Sequence, residues 1–458
     1  MTIGKIPAVW KRAVVIPIFK KGNPSDPANY RPISLTCVPC RVLESLIRDV
    51  MLSHLTDHTL LSADQFGFLP GRSTTLQLLM CLDSWTFALD AGAPVDIIFI
   101  DFAKAFDSVS HAKLLQKLKF YGFSGSLLDW ISDCLADRTQ AVSVSGVMSE
   151  LTNVTSGVPQ GSVLGPLLFI LFINDLSCEE YNIDAPKFAD DVLMHNAIIS
   201  QHDQRNLQGA LGHVECWSNA SQLPIADTKC SVLHLGSANA KYNYLLFDNI
   251  LTHQSLVKDL GVWFSTDLKV GYHCKTIVMK ANQRAAIIKR VFVSGDVFTL
   301  CWAFKVYVRP ILEYASHVWS PHLVKDIDCV ESVQRYFTKY LPGMSRLSYN
   351  DRLRHLGLES LELRRLKADL LFTYNLLHDK LAVPGHYFFS VRGMGRTRGH
   401  PLKLTVNMSH LDCRKFFFCN RVVGPWNQLP ADTVMAPSIL SFKRGLESFD
   451  LSNFIKYS

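Results

Sequence analysis

The chain has 458 residues, of which 48% are hydrophobic and 19% are charged. This composition excludes an intrinsically disordered chain, and the length suffices for two or three packed domains. The formal charge of +7 is modest, but three segments are enriched in Lys and Arg: residues 1–31, 271–310 and 380–458. Either a polyanionic partner or ordinary solvated basic faces accounts for this distribution.

Hydrophobic periodicity predicts a mixture of strands and helices. In chain order, the expected elements are a strand at 14–19, helices at 41–55 and 74–89, a strand at 95–101, helices at 111–120 and 127–135, a strand at 140–147, a helix at 162–176, strands at 185–189 and 192–197, a helix at 203–218, strands at 230–235 and 256–264, and a basic helix at 272–290. The pattern is then mainly helical from 298 to 377. A loop at 391–400 is the expected boundary of a C-terminal module. This mixture predicts an α+β core.

The 12 cysteines lack the paired spacing of a structural zinc site or a disulfide framework. We therefore expect reduced, mostly buried thiols in an intracellular protein. The first residues show no signal-peptide pattern, and the longest apolar run, Val163–Ile173, is too short to span a bilayer. We expect a protein that is not secreted and has no membrane partner.

Three acidic residues stand at the ends of predicted strands. Asp101 closes the apolar run that starts at Val95, and Asp190 and Asp191 occupy the expected tight turn between two strands. Adjacent carboxylates repel each other, and a divalent cation relieves that repulsion. Nucleotidyl transfer uses such a site, where two metal ions activate a 3′-hydroxyl and stabilise the leaving pyrophosphate. An Asp-Asp pair by itself is more typical of an ordinary turn.

Five motifs resemble those of reverse transcriptases from non-LTR retrotransposons, of the jockey-like, LINE-type group. Phe99–His111 resembles motif A, Ser156–Phe169 resembles motif B, and Phe188–Asp191 is similar to motif C. Asn29–Leu35 and Gln65–Arg72 resemble the finger motifs. All five occur in the order and at the spacing of that family.

The resemblance, which covers about residues 10–266, implies a right-hand polymerase with fingers, palm and thumb. In this α+β fold an antiparallel palm sheet carries the catalytic carboxylates, and a mainly helical thumb and C-terminal region follow. The implied domains are part of the fingers at 1–92, the palm with inserted finger elements at 93–266, a helical thumb or connection at 267–380, and a C-terminal module of unknown role at 381–458.

The resemblance also implies the metal site. Asp101, Asp190 and Asp191 would be the three palm carboxylates, and the backbone carbonyl of Phe102 would add a ligand. Two Mg²⁺ ions would bind there, with Mn²⁺ as a substitute. The resemblance implies that Asp101 and Asp190 coordinate metal most directly and that Asp191 is more peripheral, which is consistent with neighbouring strand residues pointing to opposite faces.

Several further residues match the nucleotide-binding positions of the family. Phe106 matches an aromatic gate that would clash with a ribose 2′-hydroxyl, although a Phe here is also typical of core packing. Gln160 and Gly161 match contacts to the incoming nucleotide. The finger cations expected near the triphosphate are Lys11, Lys20 and Arg31. Either lysine is equally compatible with simple solvation.

Beyond the palm, the match continues in weaker form. Trp217–Cys230 resembles the next motif, with Lys229 as a candidate general acid for the leaving pyrophosphate. Ile225 and Ala226 stand where the family commonly has Leu-Asn. Lys258–Phe264 resembles the primer-grip hairpin. The basic helix that follows suits a thumb along a nucleic-acid backbone.

The expected function is that of an RNA-directed DNA polymerase that copies element RNA into cDNA. Its partners would be an RNA template, a DNA primer and deoxynucleoside triphosphates, in a cytoplasmic or nuclear ribonucleoprotein. We also expect a chain that lacks the N-terminal endonuclease of full-length elements. Two alternatives remain at this point: an inactive remnant that only binds RNA, and an intron-maturase-like splicing factor.

Overall fold

The computed structural model describes residues 5–292, 295–392 and 399–456. The chain divides into two compact units. The first comprises Met1–Leu69, Asp96–Val232 and Ala240–His253, and the second comprises Pro70–Val95, Leu233–Asn239 and Gln254–Ser458. Part of the loop predicted at 391–400 lies outside the described residues.

The described strands, in chain order, are β1 (Arg12–Phe19), β2 (Tyr30–Leu35), β3 (Val95–Ile100), β4 (Arg138–Val144), β5 (Val147–Met148), β6 (Thr152–Val154), β7 (Lys187–Phe188), β8 (Asp191–Ala197), β9 (Ser231–Leu235), β10 (Leu245–Leu246), β11 (Asn249–Ile250), β12 (Thr252–Gln254), β13 (Leu256–Asp259) and β14 (Val262–Ser265). Two five-stranded sheets result. In one, β2, β1, β4 and β5 lie in that order and β6 pairs with β4, whereas the other has the order β12-β9-β3-β8-β7.

The described α-helices are α1 (Val38–Asp57), α2 (Thr74–Asp90), α3 (His111–Phe120), α4 (Gly125–Leu135), α5 (Gly165–Ile173), α6 (Gln201–Ser221), α7 (Gly271–Val291), α8 (Val297–Ala303), α9 (Arg309–Glu313), α10 (Ser316–Trp319), α11 (Val324–Tyr340), α12 (Tyr349–Leu356), α13 (Leu361–Leu377), α14 (Asp412–Lys415), α15 (Phe418–Arg421), α16 (Val423–Gln428), α17 (Ala431–Val434) and α18 (Ile439–Ser448). None of the helices in the described part of the chain is both long and apolar enough to cross a membrane.

The core of the first unit forms around α5 because eight of its nine residues are buried. Residues of β3, β8, α1, α3, α4 and α6 join it in one continuous hydrophobic cluster. A helix that is apolar on every side must be enclosed by other elements. The sheet that contains β3 and β8 therefore has a rigid backing, and residues at its strand ends are held in fixed positions.

The predicted α+β class is confirmed, and most predicted elements lie within a few residues of the observed ones. Eight of the twelve cysteines are buried, as expected. The strand expected at 256–264 is divided in two, because β13 and β14 form an antiparallel hairpin with Asp259 paired to Val262; the hairpin that the resemblance implied at Lys258–Phe264 is confirmed. Leu260 and Gly261 make the turn with φ of 41° and 91°, and glycine adopts such a backbone readily.

In the second unit, the C-terminal segment packs on α13 through a buried ion-pair network. Asp369 of α13 accepts hydrogen bonds from Arg421 Nε at 2.9 Å and pairs with His317 Nδ1 at 2.8 Å. Burial alone would raise the pKa of Asp369, but Arg421 and His317 outweigh it and lower the pKa. Arg421 also donates to the backbone carbonyl of His317 at 2.7 Å. The Arg421 side chain thus holds its segment to the helices.

Replacing Arg421 with Ala should lower the free energy of unfolding by about 3–5 kcal/mol, because Asp369 then stays buried without its main partner. The matched control is Arg354→Ala, which removes an exposed ion pair with Asp351 and should cost less than about 1 kcal/mol. Urea unfolding followed by tryptophan fluorescence measures both changes. Equal losses in the two variants would contradict a stabilising role for the buried network.

Candidate active site

The three predicted carboxylates come together at the ends of two neighbouring strands, β3 and β8. Asp101 directly follows β3, and Asp191 is the first residue of the neighbouring strand β8. Phe188 of β7 pairs with Asp191, so Ala189 and Asp190 form a two-residue turn. A tight turn between two strands is confirmed, but it lies one residue earlier than predicted, at Ala189 and Asp190 rather than at Asp190 and Asp191. Ala189 has a φ of +56°, a left-handed conformation that costs an L-residue about 1–2 kcal/mol.

The electrostatics of these carboxylates reflect their crowding. Burial raises the pKa of Asp190, and the negative charge of Asp101 adds to the shift. Burial and then the charges of Asp190 and Asp101 raise the pKa of Asp191 to about 6. Burial and the charge of Asp101 therefore make ionisation of Asp190 and Asp191 more costly, and a cation bound among the three carboxylates would relieve that cost.

The backbone after β3 is fixed by the segment that precedes Lys229. Ala226 N donates to the carbonyl of Asp101 at 2.8 Å, and Phe102 forms an antiparallel bridge with Ile225. These contacts use backbone atoms, so the departure from Leu-Asn at residues 225 and 226 leaves them intact. Lys229 Nζ consequently lies 3.0 Å from Asp101 Oδ1, in a solvent-accessible ion pair.

The predicted finger cations have different positions. Arg31 and Lys20 are exposed, and both lower the pKa of Asp190, so their charges act on the carboxylate site. Lys11 instead pairs with Asp133 at 3.0 Å, and its side chain is only 12% exposed. The structure therefore brings two of the three cations to the acids. The third has a structural partner.

Gln160 and Gly161 lie in a loop that is tied to both the finger strand and motif A. Gln160 Nε2 donates to Asp107 Oδ1 at 2.9 Å, and its backbone carbonyl accepts from Ser34 N at 2.6 Å. Gly161 has a φ of +117°, and a Cβ there would meet the carbonyl oxygen of Ser34 at 2.5 Å. The side chain of Asp107 thus pairs with Gln160.

Phe106 is half-buried and held by other aromatic rings. Its ring stacks on Phe169 of α5 with centroids 4.4 Å apart and meets Phe68 edge-on at 6.3 Å. Its backbone carbonyl accepts from Val158 N at 2.8 Å. The ring therefore has a fixed orientation, and it is only partly enclosed by the core.

A family model described as "Reverse transcriptase (RNA-dependent DNA polymerase)" matches residues 18–264, more than half of the chain. The chain belongs to this family. Its α+β architecture is accordingly the right-hand polymerase fold that the sequence motifs implied. All three carboxylates lie within the matched residues.

Two fly proteins illustrate the relationship. A "Probable RNA-directed DNA polymerase from transposon BS" of Drosophila melanogaster is 31% identical over 68% of this chain and 36% of its own length. The "RNA-directed DNA polymerase from mobile element jockey" of the same species is 28% identical over 70% of this chain and 36% of its own length. The chain thus spans little more than a third of these jockey-like, non-LTR relatives. A telomerase structure from Candida tropicalis aligns with a TM-score of 0.46 and 10% identity over 79% of this chain and 57% of that chain.

Members of this family use divalent metal ions, and the carboxylates fit such an ion by their chemistry. Carboxylate oxygens are hard donors of the kind that Mg²⁺ and Mn²⁺ prefer. The raised pKa values of Asp190 and Asp191 indicate negative charge that a cation would stabilise. Lys229 is paired with Asp101 in this structure. Among the described residues, no group of three His, Cys, Asp or Glu side chains is spaced to hold an ion.

Two residues that support the site were not predicted from the sequence. Glu44 of α1 is buried and accepts from Val163 N at 2.7 Å and Leu164 N at 3.2 Å, at the start of α5. Gln65 is fully buried and accepts from Ala189 N at 3.0 Å, in the turn before Asp190. The only signal for Glu44 is an acid on the apolar face of a predicted helix. Gln65 lies within a recognised motif that assigns it no role.

Gly157→Ala should destabilise the first unit far more than Gly146→Ala. Both glycines have similar positive φ values, 87° and 84°, so both variants carry a backbone strain of about 1–2 kcal/mol. A Cβ at Gly157 would also meet Asp107 Cα and O at 2.7 Å, whereas nothing lies within 4 Å at Gly146. That overlap should add about 1–3 kcal/mol. Thermal unfolding measures the difference, and equal midpoints would show that motifs A and B are not in close contact.

Proposed function

We propose that the chain is an RNA-directed DNA polymerase of a jockey-like non-LTR retrotransposon, which copies element RNA into cDNA. One observation carries the proposal. The side chains of Asp101, Asp190 and Asp191 lie together at the ends of β3 and β8, inside the part of the chain that matches the family. Two of the relatives that support it are named as an RNA-directed DNA polymerase and a probable one. The presence of all three acids and of Gln160 argues against an inactive remnant.

Asp101, Asp190, Asp191 and the carbonyl of Phe102 would hold two divalent ions, which we propose to be Mg²⁺, with Mn²⁺ as a substitute. Bound there, the ions would favour ionisation of the primer 3′-hydroxyl and stabilise the pyrophosphate. The protein itself contributes to metal binding by holding the carboxylates close together. Their mutual repulsion makes the binding of a cation more favourable, and the backbone hydrogen bonds around Asp101 hold one side of the site in place.

The cations are suited to the triphosphate. Arg31 can hold phosphate oxygens with two parallel hydrogen bonds, and Lys20 adds a second positive charge. Both are exposed and act on Asp190, which supports a location beside the phosphates. Lys11 is engaged by Asp133 and contributes to holding the fingers rather than to the nucleotide. Lys229 is suited to donate a proton to the leaving pyrophosphate, once a metal ion replaces it at Asp101.

Gln160, Gly161 and Phe106 would define the sugar and base side of the nucleotide site. Gly161 lets the backbone approach closely, and the bond from Gln160 to Asp107 fixes the glutamine side chain. Phe106 stands five residues after Asp101, and its stack on Phe169 prevents the ring from turning away. A fixed ring beside the sugar would exclude a 2′-hydroxyl, so the product would be DNA.

The proposed partners are an RNA template, a DNA primer with its cDNA extension, and deoxynucleoside triphosphates. We assign residues 1–92 to part of the fingers, 93–266 to the palm, 267–380 to a helical thumb or connection, and 381–458 to a C-terminal module. The basic helix α7 carries five Lys or Arg residues that suit phosphate contacts. Such a protein would act as a ribonucleoprotein in the cytoplasm or nucleus.

Asp190→Asn should abolish primer extension on an RNA template with Mg²⁺, because it removes a charge needed to bind the metal. A loss of at least about a thousandfold is expected for a group that stabilises the reacting centre. The assay measures extension of a labelled DNA primer by the purified chain. Asp57→Asn is the control, since Asp57 is exposed at the end of α1. Activity retained in Asp190→Asn, or absent from the wild type across metal and salt conditions, would refute the proposal.

Phe106→Ala should allow ribonucleotides to be incorporated, because the ring that would meet the 2′-hydroxyl is removed. We expect the preference for deoxynucleotides to fall by about tenfold or more, the effect of losing one good steric contact. Single-nucleotide insertion with dNTP or rNTP gives the ratio of kcat/KM values. Phe68→Ala removes a neighbouring ring as a control. If sugar discrimination is unchanged in Phe106→Ala, Phe106 is only a packing residue.

A further inference from the structure

The finger segment Asp64–Phe68 is attached to the hairpin that carries the paired acids. Lys187 N donates to the carbonyl of Asp64 at 2.7 Å, and Phe66 N donates to the carbonyl of Lys187 at 2.7 Å. Gln65 and Lys187 thereby form a parallel bridge. The segment extends the sheet by one residue beside β7, at the end where the turn begins.

The side chain of Gln65 reaches the turn itself. Its Oε1 atom accepts from Gly67 N at 2.8 Å and from Ala189 N at 3.0 Å. Ala189 is buried and stands in the turn, outside the paired residues of β7 and β8, so its N–H takes no part in the pairing of the hairpin. A buried backbone N–H needs an acceptor, and Gln65 supplies it.

Gly67 makes this approach possible. A Cβ on Gly67 would lie 2.5 Å from Ala189 N, a distance that real Cβ atoms do not adopt. The segment and the turn therefore touch backbone to backbone. We call the contacts of Gln65 and Gly67 with Ala189 the Gln65 clamp.

We propose that Gln65 is a positioning residue for the metal-binding acids, acting through Ala189 on the adjacent Asp190. The inference rests on the proposed function, because it concerns the same carboxylates. Asp190 directly follows Ala189, whose backbone N–H is bound by Gln65. A rotation of the turn would therefore move the Asp190 carboxylate. A misplacement of about 1 Å in such a group can cost about a hundredfold in rate. The clamp also ties the geometry of the acids to the finger motif.

The alternative is that Gln65 only stabilises the fold. A matched pair of variants distinguishes this structural role from the positioning of Asp190. Gln65→Met keeps the length of the side chain and removes the acceptor. Gln77→Met makes the same change in α2, where Gln77 is equally buried and its Oε1 accepts no hydrogen bond from the described residues. Gln65→Glu retains an acceptor oxygen at the same distance from the backbone.

The experiment measures kcat and the KM for a deoxynucleotide, thermal unfolding, and Mn²⁺ binding by the loss of the free-ion EPR signal. For Gln65→Met we expect kcat to fall by about tenfold to a hundredfold, with KM nearly unchanged and weaker Mn²⁺ binding. Gln77→Met should leave these values at the wild-type level. Gln65→Glu should recover most of kcat.

A kcat for Gln65→Met within about threefold of the wild type, or losses that only follow the unfolded fraction, would overturn the proposal. If Gln65→Met does not fold, Gln65→Glu decides: a folded variant with wild-type kcat and Mn²⁺ binding supports the clamp, and a folded variant that has lost both refutes it. Mn²⁺ binding is measured without nucleic acid. It therefore tests the clamp even if the wild type extends no primer.

Discussion

The burial and crowding of three carboxylates is the constraint on which the rest of the site depends. Asp101, Asp190 and Asp191 lie together at the ends of neighbouring strands, where burial and then the charge of Asp101 raise the pKa of Asp190, and burial and then the charges of Asp190 and Asp101 raise the pKa of Asp191. Folding brings them together only because a hydrophobic core fixes β3 and β8 side by side. A cation bound among the carboxylates would recover the free energy that their burial and crowding cost the folded protein.

The surroundings of the carboxylates are arranged around that charge. Arg31 and Lys20 oppose the rise in the pKa of Asp190, and Lys229 pairs directly with Asp101. Motif B is held by hydrogen bonds: Ser156 donates to the backbone of Asp107, Gln160 accepts from the backbone of Ser34, and the Gln160 amide donates to the Asp107 carboxylate. Positive charges thus act on the carboxylate site, whereas hydrogen bonds fix the loop that carries Gln160.

The support of these loops comes from residues distant in sequence. Glu44 caps the start of α5 from 119 residues away, and Gln65 holds the turn at Ala189 from 124 residues away. Both are buried polar side chains that accept two backbone N–H groups. Such groups are costly to bury unless they are satisfied, so each fixes the geometry of the segment that it meets. The rigid scaffold therefore extends from the core to the edge of the site.

Local patterns were sufficient to predict much of this arrangement. The apolar runs of β3 and β8 and the acids at their ends predicted where the carboxylates lie, because strand ends and two-residue turns have short-range signatures. The same patterns did not distinguish Lys11, whose partner Asp133 lies 122 residues away, from the exposed Lys20. They also missed Gln65 and Glu44, since a bond from a side chain to a distant backbone leaves no periodicity. Periodicity alone predicted one strand at 256–264, and the turn between β13 and β14 was indicated only by the resemblance to the family.

A metal site held by both Asp101 and Asp190 joins two segments that are almost ninety residues apart in the chain, and iron-mediated cleavage tests this directly. Fe²⁺ bound in place of Mg²⁺, with ascorbate and peroxide, cuts the backbone close to the ion. In the wild type we expect cuts near both Asp101 and Asp190, and excess Mg²⁺ should suppress them. In Asp101→Asn both cuts should be lost. Cleavage at only one of the two segments, or cuts near Asp190 that persist in Asp101→Asn, would contradict it.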